Sequence, residues 1–187
     1  MKITLQMVIE SDGTAPTVVE DVACFTRATL SFDTLGMHLA EAKDLLHRMQ
    51  ETMVTEQVSE YLAQQQQCPD CGIVRSRKGQ HTLVYRTLFG KLTLPSPRYY
   101  VCRCHETTPR QRESPLARLL PERSAPELVY LEAKWASMMS YGLTAGMRME
   151  LLPLNRRLHS MEVRRQLQRV AEQAEYELGD EQHSFLE

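Results

Sequence analysis

Cys68-Pro69-Asp70-Cys71-Gly72 sets two thiols two residues apart, with a glycine directly after the second. Such a pair can grip one metal ion, because a tight knuckle turns both sulfurs inward and glycine admits the backbone conformation that aims amides at them. A second pair, Cys102 and Cys104, follows after 30 intervening residues. Residues i and i+2 of a strand point the same way, so both of these sulfurs can face the knuckle. Four thiolates in tetrahedral array select Zn²⁺ and leave no position open, which makes the predicted site structural and not catalytic. Cys102-Arg103-Cys104-His105 also contains a Cys-x-x-His pair, so His105 is an alternative fourth ligand. A redox Cys-x-x-Cys is the rival reading. That motif normally lies between a strand and the helix it starts, whereas this one precedes β-patterned sequence and has a second pair downstream. Cys24 stands alone in an apolar stretch and reads as core.

The element that must bring the two pairs together lies between them. Residues from Gln80 to Val101 alternate as a β-hairpin, with a turn at Gly90-Lys91. Pro95 and Pro97 lack amide donors, so the return strand is expected at an edge or broken there. A metal knuckle plus a hairpin is the grammar of a zinc ribbon. Upstream, Ile3–Glu10 and Thr17–Phe25 read as a second hairpin turning at Ser11-Asp12-Gly13. A helix then runs from near Met37 toward Gln66, with Leu39, Ala42, Leu46, Met49 and Met53 as its apolar stripe and Val58, Tyr61 and Leu62 prolonging it. The stripe is expected to pack on its own hairpin, and it is long enough for part of it to pair with a second chain.

Beyond Thr107 the chain reads as helices. Ser114-Pro115 opens a short one ending near Pro121, and Ser124-Ala125-Pro126-Glu127 has the form of a capping box for the next. That helix presents Leu128, Leu131, Trp135 and Met138, and Gly142 is placed to stop it; Thr144 begins a short successor ending before Pro153. A last helix follows Ser160, striped by Val163, Leu167, Val170, Ala171, Ala174 and Leu178, with Gly179 as terminator. The fold class is therefore α+β in three parts. Residues 1–67 form a hairpin and long helix, 68–110 a zinc-ribbon-like module, and 111–187 a helical module.

Charge is distributed unevenly along the chain. Residues 1–67 carry −6, residues 68–124 carry +7 and residues 125–187 carry −3, so the net charge of −2 hides a basic middle block. A basic block between acidic ones suits a polyanion-binding module; a solvated basic surface is the plainer alternative. Within it, Arg75, Arg77, Lys78, Arg86, Lys91 and Arg98 are candidate phosphate contacts, and Arg103 also decorates the hairpin. Tyr85, Phe89, Tyr99 and Tyr100 interleave with them and are expected mostly in the small core of the ribbon. Arg164 and Arg165 near the start of the last helix, with Arg156, Arg157 and His159 before it, fit either a helix-turn-helix reading DNA or a helical hairpin with a solvated face. The connection Leu152–His159 is longer than a helix-turn-helix turn usually is.

The words Cys68-Pro69-Asp70-Cys71-Gly72, Tyr85-Arg86-Thr87-Leu88-Phe89-Gly90, Pro95-Ser96-Pro97-Arg98 and Cys102-Arg103-Cys104 occur in that order. Leu119-Leu120-Pro121-Glu122-Arg123-Ser124-Ala125-Pro126-Glu127-Leu128 follows, running on through Trp135 to Ser140-Tyr141-Gly142. In these words the chain resembles transposases of the ISKra-four insertion-sequence family over most of residues 37–180. The resemblance implies the DNA-binding amino-terminal region of an enzyme that cuts and joins transposon ends. Such enzymes cleave with three acidic residues of a ribonuclease-H-like domain holding two divalent metals. This chain is expected to stop about where that domain starts, so no catalytic residue is assigned and the chain is expected not to be an enzyme by itself. Nucleophile–base pairs, P-loops and nucleotide fingerprints are likewise missing from the sequence.

The expected partners are double-stranded DNA at transposon ends and, beside it, a homo-oligomer or a full-length transposase. A zinc-dependent protein-interaction module that regulates such a transposase is the competing function. No apolar run reaches the ~20 residues a membrane span needs, and the amino terminus lacks a secretory pattern. A cytoplasmic, nucleoid-associated location without membrane or small-molecule partners is therefore expected.

Overall fold

The computed structural model describes residues 1–10, 17–104, 111–153 and 159–178. Mixed α and β elements fall into two units: Met1–Tyr85 with Leu92–Arg123, and Arg86–Lys91 with Ser124–Glu187.

In the first unit, β1 (Lys2–Ile9) and β2 (Val18–Thr26) pair antiparallel, with Ile3 opposite Phe25 and a register irregularity between Leu5 and Gln6. The turn expected at Ser11-Asp12-Gly13 lies outside the described residues. The open end of this hairpin is closed by the Met1 ammonium donating to the Arg27 carbonyl at 2.8 Å and the Arg27 amide donating to the Met1 carbonyl at 2.9 Å. Arg27 then reaches Glu41 at 2.6 Å, tying the hairpin to the start of helix α1 (Leu39–Gln64). Cys24 is exposed, not core.

Helix α1 packs on its own hairpin as expected, the Thr52 hydroxyl donating to the Glu20 carboxylate at 3.0 Å. Val58 and Leu62, expected to prolong its stripe, enter the core; the rest of the stripe is placed differently. Leu39, Leu46 and Met53 of the predicted stripe are exposed, and the positions it buries are Val54 and Val58. Adjacent residues of a helix stand ~100° apart, so Met53 and Val54 belong to different faces. The buried face meets a sheet of order β3-β4-β5, formed by β3 (Arg77–Thr87), β4 (Gly90–Tyr100) and β5 (Arg112–Glu113). Val54, Val58, Leu83, Leu92, Leu94 and Leu116 make the core, with Leu62, Tyr85, Ala117 and Leu120 packed against it. Leu116, Ala117 and Leu120 come from the short helix α2 (Pro115–Leu119) and its cap. Leu83 is 1% exposed at the centre of this cluster. Leu83→Ala is expected to cost ~2–5 kcal/mol in a urea unfolding series, from lost transfer energy plus the cavity left behind.

The β3–β4 turn is built at Leu88-Phe89 by the buried Thr87, whose hydroxyl accepts from the Phe89 amide and donates to the Gly90 carbonyl, each at 3.1 Å. Strand β4 continues through Pro95 and Pro97. It pairs with β5 only at Tyr99 and Tyr100. Upstream of Tyr99, β4 pairs with no residue of β5, and a strand edge is where proline is tolerated. Its burial alternates through Leu92, Leu94 and Ser96, then slips by one residue so that Pro97 and Tyr99 are also buried and Arg98 is exposed.

The second unit holds helices α3 (Pro126–Met138), α4 (Tyr141–Leu151) and α5 (Ser160–Leu178), with the hairpin tip Arg86–Lys91. Its first helix starts one residue later than the capping-box reading. Ala125 is the cap and Ser124 makes no cap bond, because the Ala125 amide donates to the Arg86 carbonyl at 2.7 Å. Gly142 does not stop α3; it lies in the first turn of α4, whose cap is Ser140, with its hydroxyl accepting from the Leu143 amide. Gly179 lies outside the described residues. Leu128 and Val163 are buried here, and an ion pair joins Glu132 on α3 to Arg148 on α4, with side chains only 7% and 4% exposed. Burial lowers the Arg148 guanidinium to about 10, the charge of Glu162 holding it up and that of Arg86 pressing it down, so it stays charged at neutral pH.

Candidate metal centre and its basic surroundings

The knuckle is a backbone construction. The Arg75 amide donates to the Gln66 carbonyl at 2.9 Å and the Cys68 amide to Ile73 at 3.0 Å, closing residues 66–75 into a loop. Inside it, the Gly72 amide donates to the Cys68 carbonyl at 2.9 Å, and Gly72 adopts φ +69°, a conformation that glycine enters without side-chain penalty. This end of the sheet is then tied to β4, where the Tyr100 amide donates to Ser76 and the Val101 amide to Gln111, both at 3.0 Å.

Cys102 and Cys104 lie past the end of β4, and Arg103 and Cys104 form a turn. Strand alternation therefore does not aim them; a second reversal of the chain does. The four sulfurs of Cys68, Cys71, Cys102 and Cys104 all lie within 4.8 Å of one another. Cys68 stands 3.4 Å from Cys104, Cys71 3.3 Å from Cys102, and Cys104 3.6 Å from Cys71. A tetrahedral ion with sulfurs at ~2.3 Å would set them about 3.8 Å apart, close to what is found. These distances are far from the ~2.05 Å of a disulfide, and all four cysteines are free. His105 lies outside the described residues.

The electrostatics of the cluster differ from sulfur to sulfur. Amides of Cys71 and Asp70 point at the Cys68 sulfur and lower its thiol to about 6. At Cys71 the Ile73 amide pulls down, but contact with the Cys102 and Cys68 sulfurs and loss of water push the thiol above its ordinary value overall. Cys104 is pushed up further, by Cys102 first, then by desolvation and the other two sulfurs. Packed thiols resist losing several protons together, and a divalent cation at their centre reverses that preference. Four soft donors, near-tetrahedral spacing and amides aimed at sulfur fit a metal ion bound by these residues.

The basic residues fall into distinct groups. Arg77, Lys78 and Arg98 are exposed on the sheet, Arg77 bonding Gln80 and Lys78 lying 5.9 Å from the Tyr100 ring centroid. Arg86 and Lys91 are exposed at the hairpin tip, and Arg164 and Arg165 are exposed on α5. Arg75 stands apart. Its side chain is 7% exposed, paired with Glu113, bonded to the Gln65 carbonyl and stacked 5.3 Å from the Tyr99 ring centroid. Its guanidinium is engaged inside the first unit and not turned to solvent. Of the aromatics, Tyr99 is buried while Tyr85, Phe89 and Tyr100 are half-buried. Arg156 and Arg157, and with them the α4–α5 connection at 154–158, lie outside the described residues.

Sequence reasoning did not find the Glu132–Arg148 pair, which no local pattern announces. Among the described residues, no helix is long and apolar enough to cross a membrane. Comparison with protein-family models, with curated proteins and with solved structures finds no match to this chain.

Proposed function

We propose that this chain is a DNA-binding region of an insertion-sequence transposase, in which Cys68, Cys71, Cys102 and Cys104 hold one structural Zn²⁺. The observation that carries the reading is four sulfurs gathered within 4.8 Å at the end of a sheet in the +7 block of the chain. Zinc filling all four positions with thiolate would organise the fold without offering an open site for chemistry. In this reading the exposed Arg77, Lys78, Arg86, Lys91 and Arg98 contact phosphates, and Arg164 and Arg165 on α5 discriminate sequence. The setting is the bacterial nucleoid. The ISKra-four resemblance supplies the transposon ends as target.

The test is a titration of the zinc-loaded protein with duplex DNA carrying insertion-sequence ends and with random duplex, at several salt concentrations. Affinity should fall as a power of salt with a slope of about −0.9 per phosphate contact. End-bearing duplex should bind more tightly than random duplex. No binding at low salt would overturn the reading. The alternative function, a protein-interaction module regulating a full-length transposase, draws support from Leu39, Leu46 and Met53, which stand seven residues apart and exposed on α1.

A further inference from the structure

Three segments of chain meet at the metal end of the sheet, each bringing exposed cations. Arg77 and Lys78 open β3 directly after Ser76, which is bonded to Tyr100. Arg112 lies opposite Tyr100 in β5, directly after Gln111, which is bonded to Val101. Arg98 is exposed on β4 two residues before Tyr100, and Arg103 is exposed in the turn between Cys102 and Cys104. Neighbouring strands stand ~4.8 Å apart, and Lys78 over the Tyr100 ring, Arg98 two residues along and Arg112 opposite share the Tyr100 face, with Arg77 beside them at the start of β3 and Arg103 past the end of β4. The nearby carboxylate Glu113 is already engaged by Arg75 and Arg118. Like charges this close repel one another, and a polyanion relieves the repulsion.

We propose that the Cys102–Cys104 turn is a metal-locked lip of this rim. Arg103, clamped between two sulfur ligands, joins Arg77, Lys78, Arg98 and Arg112 in holding the phosphate backbone of duplex nucleic acid, so that polyanion binding depends on metal occupancy. The proposal rests on the duplex-DNA reading above and adds to it a surface and a control. Among the described residues, Val101 makes the last backbone bond that ties this strand to the sheet, and beyond it the sulfurs hold the turn. With the ion bound, the backbone that carries Arg103 is held; without it, ordering the turn on DNA carries an entropic cost. A different role for the same cations follows from the cluster itself. A divalent ion in four thiolates carries a net charge of about −2, and an adjacent arginine could serve only to offset it.

The two roles separate experimentally in the full chain, loaded with Zn²⁺ and titrated with a random-sequence duplex at several salt concentrations. Arg103→Ala is expected to lower the salt slope by about 0.9, weaken binding several-fold and leave zinc retention against a competing chelator unchanged. Arg103→Lys should restore the slope, because a phosphate accepts either point charge. Arg77→Ala with Lys78→Ala should lower the slope by about twice as much. Protein stripped of metal, its remaining fold checked by circular dichroism, should bind with a shallower slope than the loaded form. The inference is overturned if Arg103→Ala loses zinc more easily while its slope stays that of the parent, or if stripped and loaded protein give one slope. In either case DNA binding itself stands. Absence of duplex binding by the loaded parent would instead remove the underlying reading, and the lip with it.

Discussion

Cys68→Ser is expected to lower the zinc that co-purifies with the protein from about one equivalent to a small fraction, as read by elemental analysis. Cys68 is the buried sulfur of the four and the one the knuckle amides serve most directly. Serine keeps the shape but supplies a hard oxygen that stays protonated at neutral pH, a poor ligand for this ion. The effect on the fold should be large but local. Binding of a structural zinc is worth roughly 10–16 kcal/mol in peptides that fold only around the metal, and that energy is folding energy for the loop it organises. Here the knuckle at 66–75 and the turn at 102–104 should lose hydrogen-exchange protection. The core of Val54, Val58, Leu83, Leu92, Leu94 and Leu116 needs no metal and should keep its protection. Cys24→Ser is the control, since that thiol lies outside the cluster and is exposed. Parent protein that is folded at 66–75 yet free of metal, or a native Cys68–Cys71 disulfide, would refute the metal assignment.

The second large effect concerns the other unit. Glu132→Ala should destabilise it by ~3–5 kcal/mol, because it leaves the Arg148 guanidinium buried without its counter-charge. The side chain of Arg148 is 4% exposed and its Nε already has no hydrogen-bond partner among the described residues, so little compensation is at hand. Replacing both members, as Glu132→Leu with Arg148→Met, should recover most of the loss, since an apolar pair of similar volume has no desolvation penalty to offset. Chemical denaturation of the three proteins decides the matter. A single variant within ~0.5 kcal/mol of the parent would show that water reaches the pair and that it behaves as a surface bridge.

How far the sequence alone foretold the structure depends on the range of the signal. The knuckle was legible because its instructions are local: two cysteines, the spacing and Gly72 lie within five residues. The second pair was expected in the cluster and is found there, but for a different reason, a turn beyond β4 in place of strand alternation. The hairpins and long helix were readable from periodicity, which names an apolar face without naming its partner. In α1 the later part of the stripe, Val58 and Leu62, was read correctly, but only the sheet in three dimensions selects Val54 over Leu39, Leu46 and Met53. Arg75 looked like its neighbours Arg77 and Lys78, because nothing local reveals that Glu113, 38 residues away, closes on it. Glu132, flanked by apolar positions on α3, reads as an outward charge until α4 brings Arg148 against it. Ser124 and Gly142 carried helix-boundary signals that lie one to a few residues from the observed ends: α3 starts after Ala125, whose amide bonds Arg86, and ends before the local cap that Ser140 sets for α4.

The slip in β4 between Ser96 and Pro97 changes the arithmetic of the ribbon. Before it, even-numbered residues are buried, Leu92 and Leu94 in the core; after it, Pro97 and Tyr99 are buried, Tyr99 against the Arg75 guanidinium, and Arg98 is exposed. Had the parity of the leucine half continued, an arginine would have been driven into the apolar layer and a tyrosine set in water. The strand thus buries opposite faces in its two halves, the first against the leucine core and the second against the side chain of Arg75, whose amide closes the knuckle loop. Core and knuckle are served from the two faces of one continuous strand, because the covered face changes where the covering element does.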